Sequence, residues 1–298
     1  MKEYQNHFMQ FHPGITFIYF VTAVIFTVTF THPAFLTVSA IMCSLYLILL
    51  FGIKIFSKNL LYSAPMVLFI IIINPLFNHR GITPILYIND QPITLEAVLY
   101  GLFTGLLIIC LLFWFKNMGS VIDSYRFLYL FGRFIPTIAL MTTMTIRFIP
   151  YFRRKLEEIQ RTWHTLGVST QSGKIKYRLN SGIKIMSVLV SVSLENSIDT
   201  ADSMRARGYN LKKKTHYHTY RFMVKDTLLL GIILVFTILL IMIKLTHRFD
   251  FNYYPKLTEF HLDLNNTLIL ICYGVFLGIP MIYNVLEGLR WHLLTSEN

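Results

Sequence analysis

Six long apolar runs punctuate the chain, at residues 15–31, 34–51, 60–77, 94–115, 227–245 and 267–285. Each approaches the roughly 20 residues that an α-helix needs to cross about 30 Å of hydrocarbon, so each predicts a transmembrane helix. Little more than His32 and Pro33 separates the first two, which predicts a tight helical hairpin with the proline where one helix stops and the next starts. Between the fourth and fifth runs the pattern changes, and apolar and charged positions interleave at helical spacing. A short amphipathic helix is predicted over 121–131, a long one from 134 to about 167, and a third from about 180 to 207 after a turn containing Gly173. Pro136 and Pro150 lie in the second, and Pro150 is expected to kink or restart it. Its apolar half would then lie near the membrane and its charged half, YFRRKLEEIQRTW, would turn away, with Arg147 placed to snorkel toward headgroups. In the third helix Val190, Leu194, Ile198 and Ala201 recur on one face, while Glu195, Asn196, Asp199 and Asp202 fall elsewhere. Gly208 is the natural left-handed cap of that helix.

Composition sets these helices in a bilayer. The chain of 298 residues is 54% hydrophobic and 14% charged, with a mean hydropathy of +0.55, which excludes an ordinary soluble domain. The reading is an all-α polytopic membrane protein of about six transmembrane helices: four spans in 1–115, a basic helical region in 116–225 and two spans in 226–298. The first run is not a cleavable signal, since Glu3 stands in the would-be basic region and no small-x-small site precedes the next run. The net charge of +12 is not spread evenly: residues 116–225 hold 19 of the 27 Lys and Arg but six of the 15 Asp and Glu. The positive-inside tendency puts this insert in the cytoplasm. Lys54 and Lys58 then fall inside, the loop with Arg248, Asp250, Lys256, Glu259 and Asp263 falls outside, and both termini are cytoplasmic at the cell membrane.

Little in the chain offers chemistry of its own. Cys43, Cys110 and Cys272 lie singly in three runs, and the ten histidines are scattered, so no disulfide framework, metal motif or cofactor is read. His216 and His218 belong with the surface run Lys212 to Lys214, which suits a solvated or headgroup-facing side. A nucleic-acid role for the insert is set aside because its cations alternate with long apolar stretches. No phosphate-binding loop, nucleophile elbow or His-Glu-x-x-His is present, so any ATP that powers the protein is bound by another chain. Ionisable residues are nearly absent from the spans, with Glu96 and Lys244 near span ends within reach of the interface, which argues against a carrier with its own relay. Gly101-x-x-x-Gly105 and Gly274-x-x-x-Gly278 are read as internal helix packing. An integral-membrane enzyme using His79 and Arg80, or a stand-alone carrier, are the alternatives to a scaffold; neither has converging acids, bases or pore-lining charges to support it.

Three motifs in order carry a resemblance: Asn74-Pro75-Leu76-Phe77 with His79 and Gly81, then Arg147-Phe148-Ile149-Pro150, then Ser193-Leu194 through Met204-Arg205-Ala206-Arg207-Gly208-Tyr209. With four spans, cytoplasmic coupling helices and further spans, the chain resembles the T component of energy-coupling factor (ECF) transporters, the family that includes cobalt-transporter permease subunits. The resemblance implies a non-catalytic scaffold that links two cytoplasmic ABC ATPase subunits to a small membrane-embedded substrate-binding subunit, for vitamin or metal-ion uptake. In that family two Ala-Arg-Gly motifs end two coupling helices, and each arginine docks in a groove of one ATPase. Ala206-Arg207-Gly208 matches the second motif. At the first, this chain has Thr165-Leu166-Gly167, with Leu166 in the arginine's place and Arg161 upstream as the alternative cation. The bland alternative for Arg207 is a helix-end cation that complements the macrodipole by about 1 kcal/mol or less.

Overall fold

The computed structural model describes residues 6–78, 81–88, 91–132, 135–166, 175–209, 220, 222–246, 251, 253–254 and 264–296. A 3-10 turn at His7–Gln10 leads into α1 (Pro13–Thr29), α2 (Pro33–Phe51) and α3 (Ile53–Phe77). A hairpin of β1 (Pro84–Ile88) and β2 (Gln91–Thr94) precedes α4 (Leu95–Val121). Then come α5 (Ser124–Gly132), α6 (Pro136–Thr165), α7 (Ile175–Ala206), α8 (Val224–Leu245) and α9 (Leu264–Ser296). The chain is an all-α polytopic membrane protein. Among the described residues five helices are long and apolar enough to cross a membrane, and α1 is a shorter apolar helix of 17 residues, about 25 Å long at 1.5 Å per residue. These are the six helices that the apolar runs predict.

The chain forms two compact units, Met1–Arg126 with Tyr220–Asn298, and Phe127–Thr219. In the first, helix contact depends on aromatic packing and on small or polar residues at the crossings. Tyr19, Phe20, Phe30, Phe35, Tyr46, Trp114, Tyr273 and Phe276 are completely or almost completely buried there. Several polar groups that enter this core find partners across it. The Trp114 indole donates to the Ser39 hydroxyl at 3.1 Å, the Ser39 and Thr27 hydroxyls are 3.0 Å apart, the Tyr19 hydroxyl donates to the Leu277 carbonyl at 2.9 Å, and the Asn117 amide donates to the Cys43 carbonyl at 3.1 Å. Such cross-helix bonds matter in lipid, where apolar surface alone gives helices little reason to associate.

Both glycine pairs lie at helix contacts within the bundle. A Cβ on Gly101 would stand 3.2 Å from the Asn74 Cβ and 3.3 Å from the Ile71 Cα of α3, and one on Gly105 would stand 2.8 Å from a Val67 methyl. Gly274 and Gly278 meet Val38 and Met42 of α2 at ordinary contact distance.

The α1–α2 hairpin forms as expected, with Pro33 at the first position of α2 and the His32 imidazole Nδ1 accepting the Ala34 amide at 3.2 Å. Elsewhere the structure departs from the sequence pattern. α3 begins at Ile53, so Lys54 and Lys58 are exposed on its first turns instead of lying in a loop. Pro150 does not restart α6, which continues through it from Pro136 to Thr165. Glu96 does not reach outward: 3% exposed, it accepts the Thr83 hydroxyl at 2.8 Å and the Thr83 and Ile82 amides at 3.3 and 3.4 Å, fastening the hairpin to α4. Gly81 is required beside it, since a Cβ there would fall 2.6 Å from the Glu96 carboxylate. The hairpin itself, with Leu86 opposite Ile93 and Tyr87 opposite Pro92, is an addition to the helical reading. His79, Arg80, Gly173, Lys212 to Lys214, His216, His218 and the loop with Arg248, Asp250, Lys256, Glu259 and Asp263 lie outside the described residues.

Two predictions follow from this packing. Gly105→Leu inserts side-chain volume where α3 already touches α4, and should destabilise the protein by about 1–3 kcal/mol, read as a lowered Tm in detergent. Gly119→Ala, with nothing within 4 Å of the new Cβ, should leave the Tm unchanged or raise it. For His32, burial holds the imidazole pKa below its ordinary value of 6.5. Its neutral form accepts the α2 cap bond and is also favoured by the positive end of the helix. A folded-state pKa below the unfolded one means that the unfolded chain binds more protons, so this contribution is full above pH 6.5 and is lost as pH falls through the folded value. His32→Asn retains a capping acceptor without the titration, and should flatten the decline in Tm between pH 7.5 and 5; an unchanged decline would assign it to other groups.

Candidate functional site

The second unit is built from most of α5 and from α6 and α7. Along α6 the hydroxyls of Thr142, Thr143 and Thr145 donate to carbonyls four residues back, at 2.7–2.8 Å. Ser191, Ser193 and Ser197 do the same along α7, at 2.5–3.1 Å. These side chains need no outside partner, so both helices can lie against apolar surroundings. Such surroundings suit the large apolar side chains they expose: Ile138, Met141 and Ile149 on α6, and Ile183, Val190, Leu194 and Ile198 on α7. The predicted face of α7 is thus present, and Val190, Leu194 and Ile198 on it are exposed among the described residues.

α6 and α7 contact each other, and a bond that the sequence did not announce joins them: Asn196 donates to the Tyr151 hydroxyl at 2.8 Å. The sequence pattern places Asn196 on the polar side of α7 and Tyr151 in the charged half of α6, and pairs neither. The Arg147-Phe148-Ile149-Pro150 motif lies inside α6, where the Phe148 ring stacks on Phe152 at 5.6 Å. Beyond the Tyr151–Asn196 bond α6 runs on for about 21 Å and α7 for about 15 Å before their tips.

The α7 tip is sharply defined. Ala206 is its last helical residue and Arg207 follows, with Gly208 in the left-handed region at φ 75°. The Tyr209 amide donates to the Met204 carbonyl at 3.1 Å and the Gly208 amide to the Arg205 carbonyl at 3.0 Å. This pair of bonds is the Schellman arrangement, which satisfies carbonyls that the end of a helix leaves open and requires a residue without a Cβ at the turn. The two arginines differ. Arg205 leans back on Asp202 at 3.8 Å, whereas Arg207 is exposed and makes no ion pair or side-chain hydrogen bond with a described residue. The tip therefore presents one uncommitted guanidinium, able to make a bidentate pair with a carboxylate.

The α6 tip differs in kind. Leu166 caps the helix and is 72% exposed, so an apolar side chain occupies the place where the other tip carries a cation. Arg161 is exposed, but five residues back along a helix places it about 140° round from Leu166. Gly167 lies outside the described residues. In the first unit, Asn74-Pro75-Leu76-Phe77 forms the last turn of α3, where Asn74 faces Gly101. Among the described residues no three His, Cys, Asp or Glu side chains gather as metal ligands.

The family model described as cobalt transport protein matches residues 11–217. Among curated relatives, the energy-coupling factor transporter transmembrane protein EcfT of Exiguobacterium sibiricum is 29% identical over 113 residues, 37% of this chain and 43% of the relative. Its namesake in Staphylococcus aureus is 27% identical over 108 residues, 36% of this chain and 40% of the relative. That of Listeria innocua is 33% identical over 94 residues, 31% and 36% of the two chains. The matches span less than half the length of these relatives. The family model, which runs from the start of the bundle through α7 and its arginine tip, is the broader finding: the chain belongs to the cobalt transport protein family and is a membrane component of the transporter type to which its motifs pointed.

Proposed function

We propose that this chain is the scaffold subunit of an ECF-type importer, coupling ATP hydrolysis by two cytoplasmic ABC ATPase subunits to reorientation of a membrane-embedded substrate-binding subunit that carries a vitamin or metal ion. In this reading it catalyses nothing itself. The observation that carries the proposal is the α7 tip, where a Schellman turn at Gly208 holds out an exposed, uncommitted Arg207 at the end of a 32-residue helix. A guanidinium so held fits a partner groove that offers an acid. The exposed apolar faces of α6 and α7 supply the surface for a membrane-embedded partner. The excess of basic residues in 116–225 supports a cytoplasmic placing of this unit, with both termini on the same side. Leu166 at the other tip makes docking asymmetric, with the ATPase at α6 held by apolar contact or by Arg161.

The test is co-purification of ATPase subunits, together with substrate uptake, for variants at matched membrane expression. Arg207→Ala should weaken ATPase association roughly 30-fold or more, because truncation strands the acid it pairs with in a closed interface. Arg207→Glu should be worse, and Arg205→Ala, which removes only an exposed local pair, should change little. Gly208→Ala should act like a mild Arg207 variant, since a Cβ in the left-handed region costs about 1–2 kcal/mol and shifts the tip. Leu166→Arg should strengthen association if the α6 tip docks in the same manner. Equal ATPase recovery with wild type and Arg207→Glu would end the proposal; a chain that transports alone would replace the scaffold with a carrier.

Orientation has its own test. In a cysteine-free background, a cysteine at Lys176 should stay unlabelled by an impermeant reagent applied to intact cells, and one at the exposed Tyr87 of the hairpin should label. Labelling at 176 and protection at 87 would invert the topology.

A further inference from the structure

The chain leaves the first unit at Arg126 and returns to it at Tyr220, so two connections link the second unit to the bundle along the chain. Both are fastened to one short stretch, residues 6–12. On the leaving side, the Arg126 guanidinium donates to the Met9 carbonyl and, at 3.4 Å, to the carbonyl of Val121, the last residue of α4. On the returning side, Asp226 in the first turn of α8 is 4% exposed and accepts the His12 amide at 3.0 Å and the Met223 amide at 2.9 Å. The His12 ring lies 4.8 Å from that of Phe222 and 6.2 Å from that of Tyr220. The two sides also meet, with the Arg126 guanidinium 5.8 Å from the Tyr220 ring.

The stretch is itself anchored in the bundle. The Phe8 amide donates to the Asn284 side-chain oxygen at 3.2 Å, and the Asn284 amide donates to the Asn6 oxygen, also at 3.2 Å. The Phe8 ring is fully buried among Tyr19, Phe20 and Tyr283. A helix pair joined to a bundle by two unfastened connections would pivot on them, and a push on the pair would be absorbed there. Here both connections are tied to a stretch that is packed into α1 and α9.

We infer that Arg126 and Asp226 are positioning residues for coupling, holding both connections of the second unit on the N-terminal stretch so that motion imposed at the α6 and α7 tips is transmitted to the spans. This rests on the scaffold reading above. Each residue suits the role chemically. Arg126 makes charge-assisted bonds to two carbonyls that belong to different elements, and one of them sits at the negative end of α4. Asp226 satisfies two amides from separate segments at the positive end of α8. Replacing either leaves groups of both segments without their partner.

The experiment uses the complete complex in proteoliposomes and the isolated chain in detergent. In the isolated chain, Arg126→Gln and Asp226→Asn should raise hydrogen exchange at the amides of residues 6–12, a readout that involves no partner. In the complex, both variants should keep ATPase subunits bound and hydrolysing within about twofold of wild type, while substrate uptake per ATP falls roughly tenfold. Arg126→Lys, which keeps the charge and one donor, should recover part of that ratio. Unchanged uptake per ATP in variants with raised exchange would overturn the inference, as would unchanged exchange. Loss of assembly in Arg126→Gln that Arg126→Lys does not restore would assign the residue to folding and also overturn it. The wild-type arm keeps the two readings apart: failure of wild type to recover ATPase subunits defeats the scaffold, whereas uncoupling is judged only among variants that assemble.

Discussion

A bilayer gives a polypeptide no solvent for its backbone and little reason for its helices to associate. The first condition forces each span to close its own hydrogen bonds, and the second leaves helix contact to packing and to a few polar bonds. The bundle reflects both. α3 and α4 meet where Gly101 and Gly105 remove side chains, and α2 meets α9 at Gly274 and Gly278. Polar side chains in the core, such as Ser39, Thr27, Trp114 and Asn117, bond between helices. Even the buried carboxylate of Glu96 is used for attachment, binding the hairpin to the start of α4 through Thr83 and Ile82.

The second unit follows a different rule. Its helices also satisfy their own polar side chains, with threonines and serines bonding four residues back, yet they leave large apolar faces open and concentrate charge at the tips and in exposed ladders such as Lys155 with Glu158 at 2.9 Å. Exposed pairs of that kind contribute little to stability. What distinguishes the unit is therefore its surface: a side with large apolar groups exposed, and an α7 tip whose conformation is set by Gly208 and whose Arg207 makes no ion pair with a described residue.

The sequence was informative wherever a property is local. Apolar runs marked the five helices long enough to cross a membrane and the shorter α1, and Gly208 after a cation marked the end of α7. Pro150 does not restart α6, because a proline costs a helix one bond and a local clash, which a 30-residue helix can absorb. The hairpin was passed over because its strands are five and four residues long and lie between two apolar runs; the Asn89-Asp90 pair between Leu-Tyr-Ile and Pro-Ile-Thr was the signal available. The Tyr151–Asn196 bond was illegible because it joins residues 45 apart on faces that neither helix's period distinguishes. Arg126 and Asp226 were harder still. Their partners are main-chain groups of Met9, Val121, His12 and Met223, and a backbone amide or carbonyl carries no residue identity for a pattern to reveal.

That distinction bears on how the two units divide their work. A tip that docks a partner can be written in a few consecutive residues, because it needs a helix end, a turn and a cation. Transmission of a push needs contacts between segments far apart in the chain, here residues 6–12 with 126 and with 220–226, and their hydrogen bonds run to backbone groups of Met9 and His12 while the His12 ring lies beside Phe222. The stretch gains its rigidity from Phe8 and Asn284, not from any secondary structure longer than one 3-10 turn. In a membrane protein this is an economical place for such a joint. The ends of spans are where water can satisfy unpaired backbone groups, and where an arginine and an aspartate can be fixed by hydrogen bonds without the cost of standing in hydrocarbon.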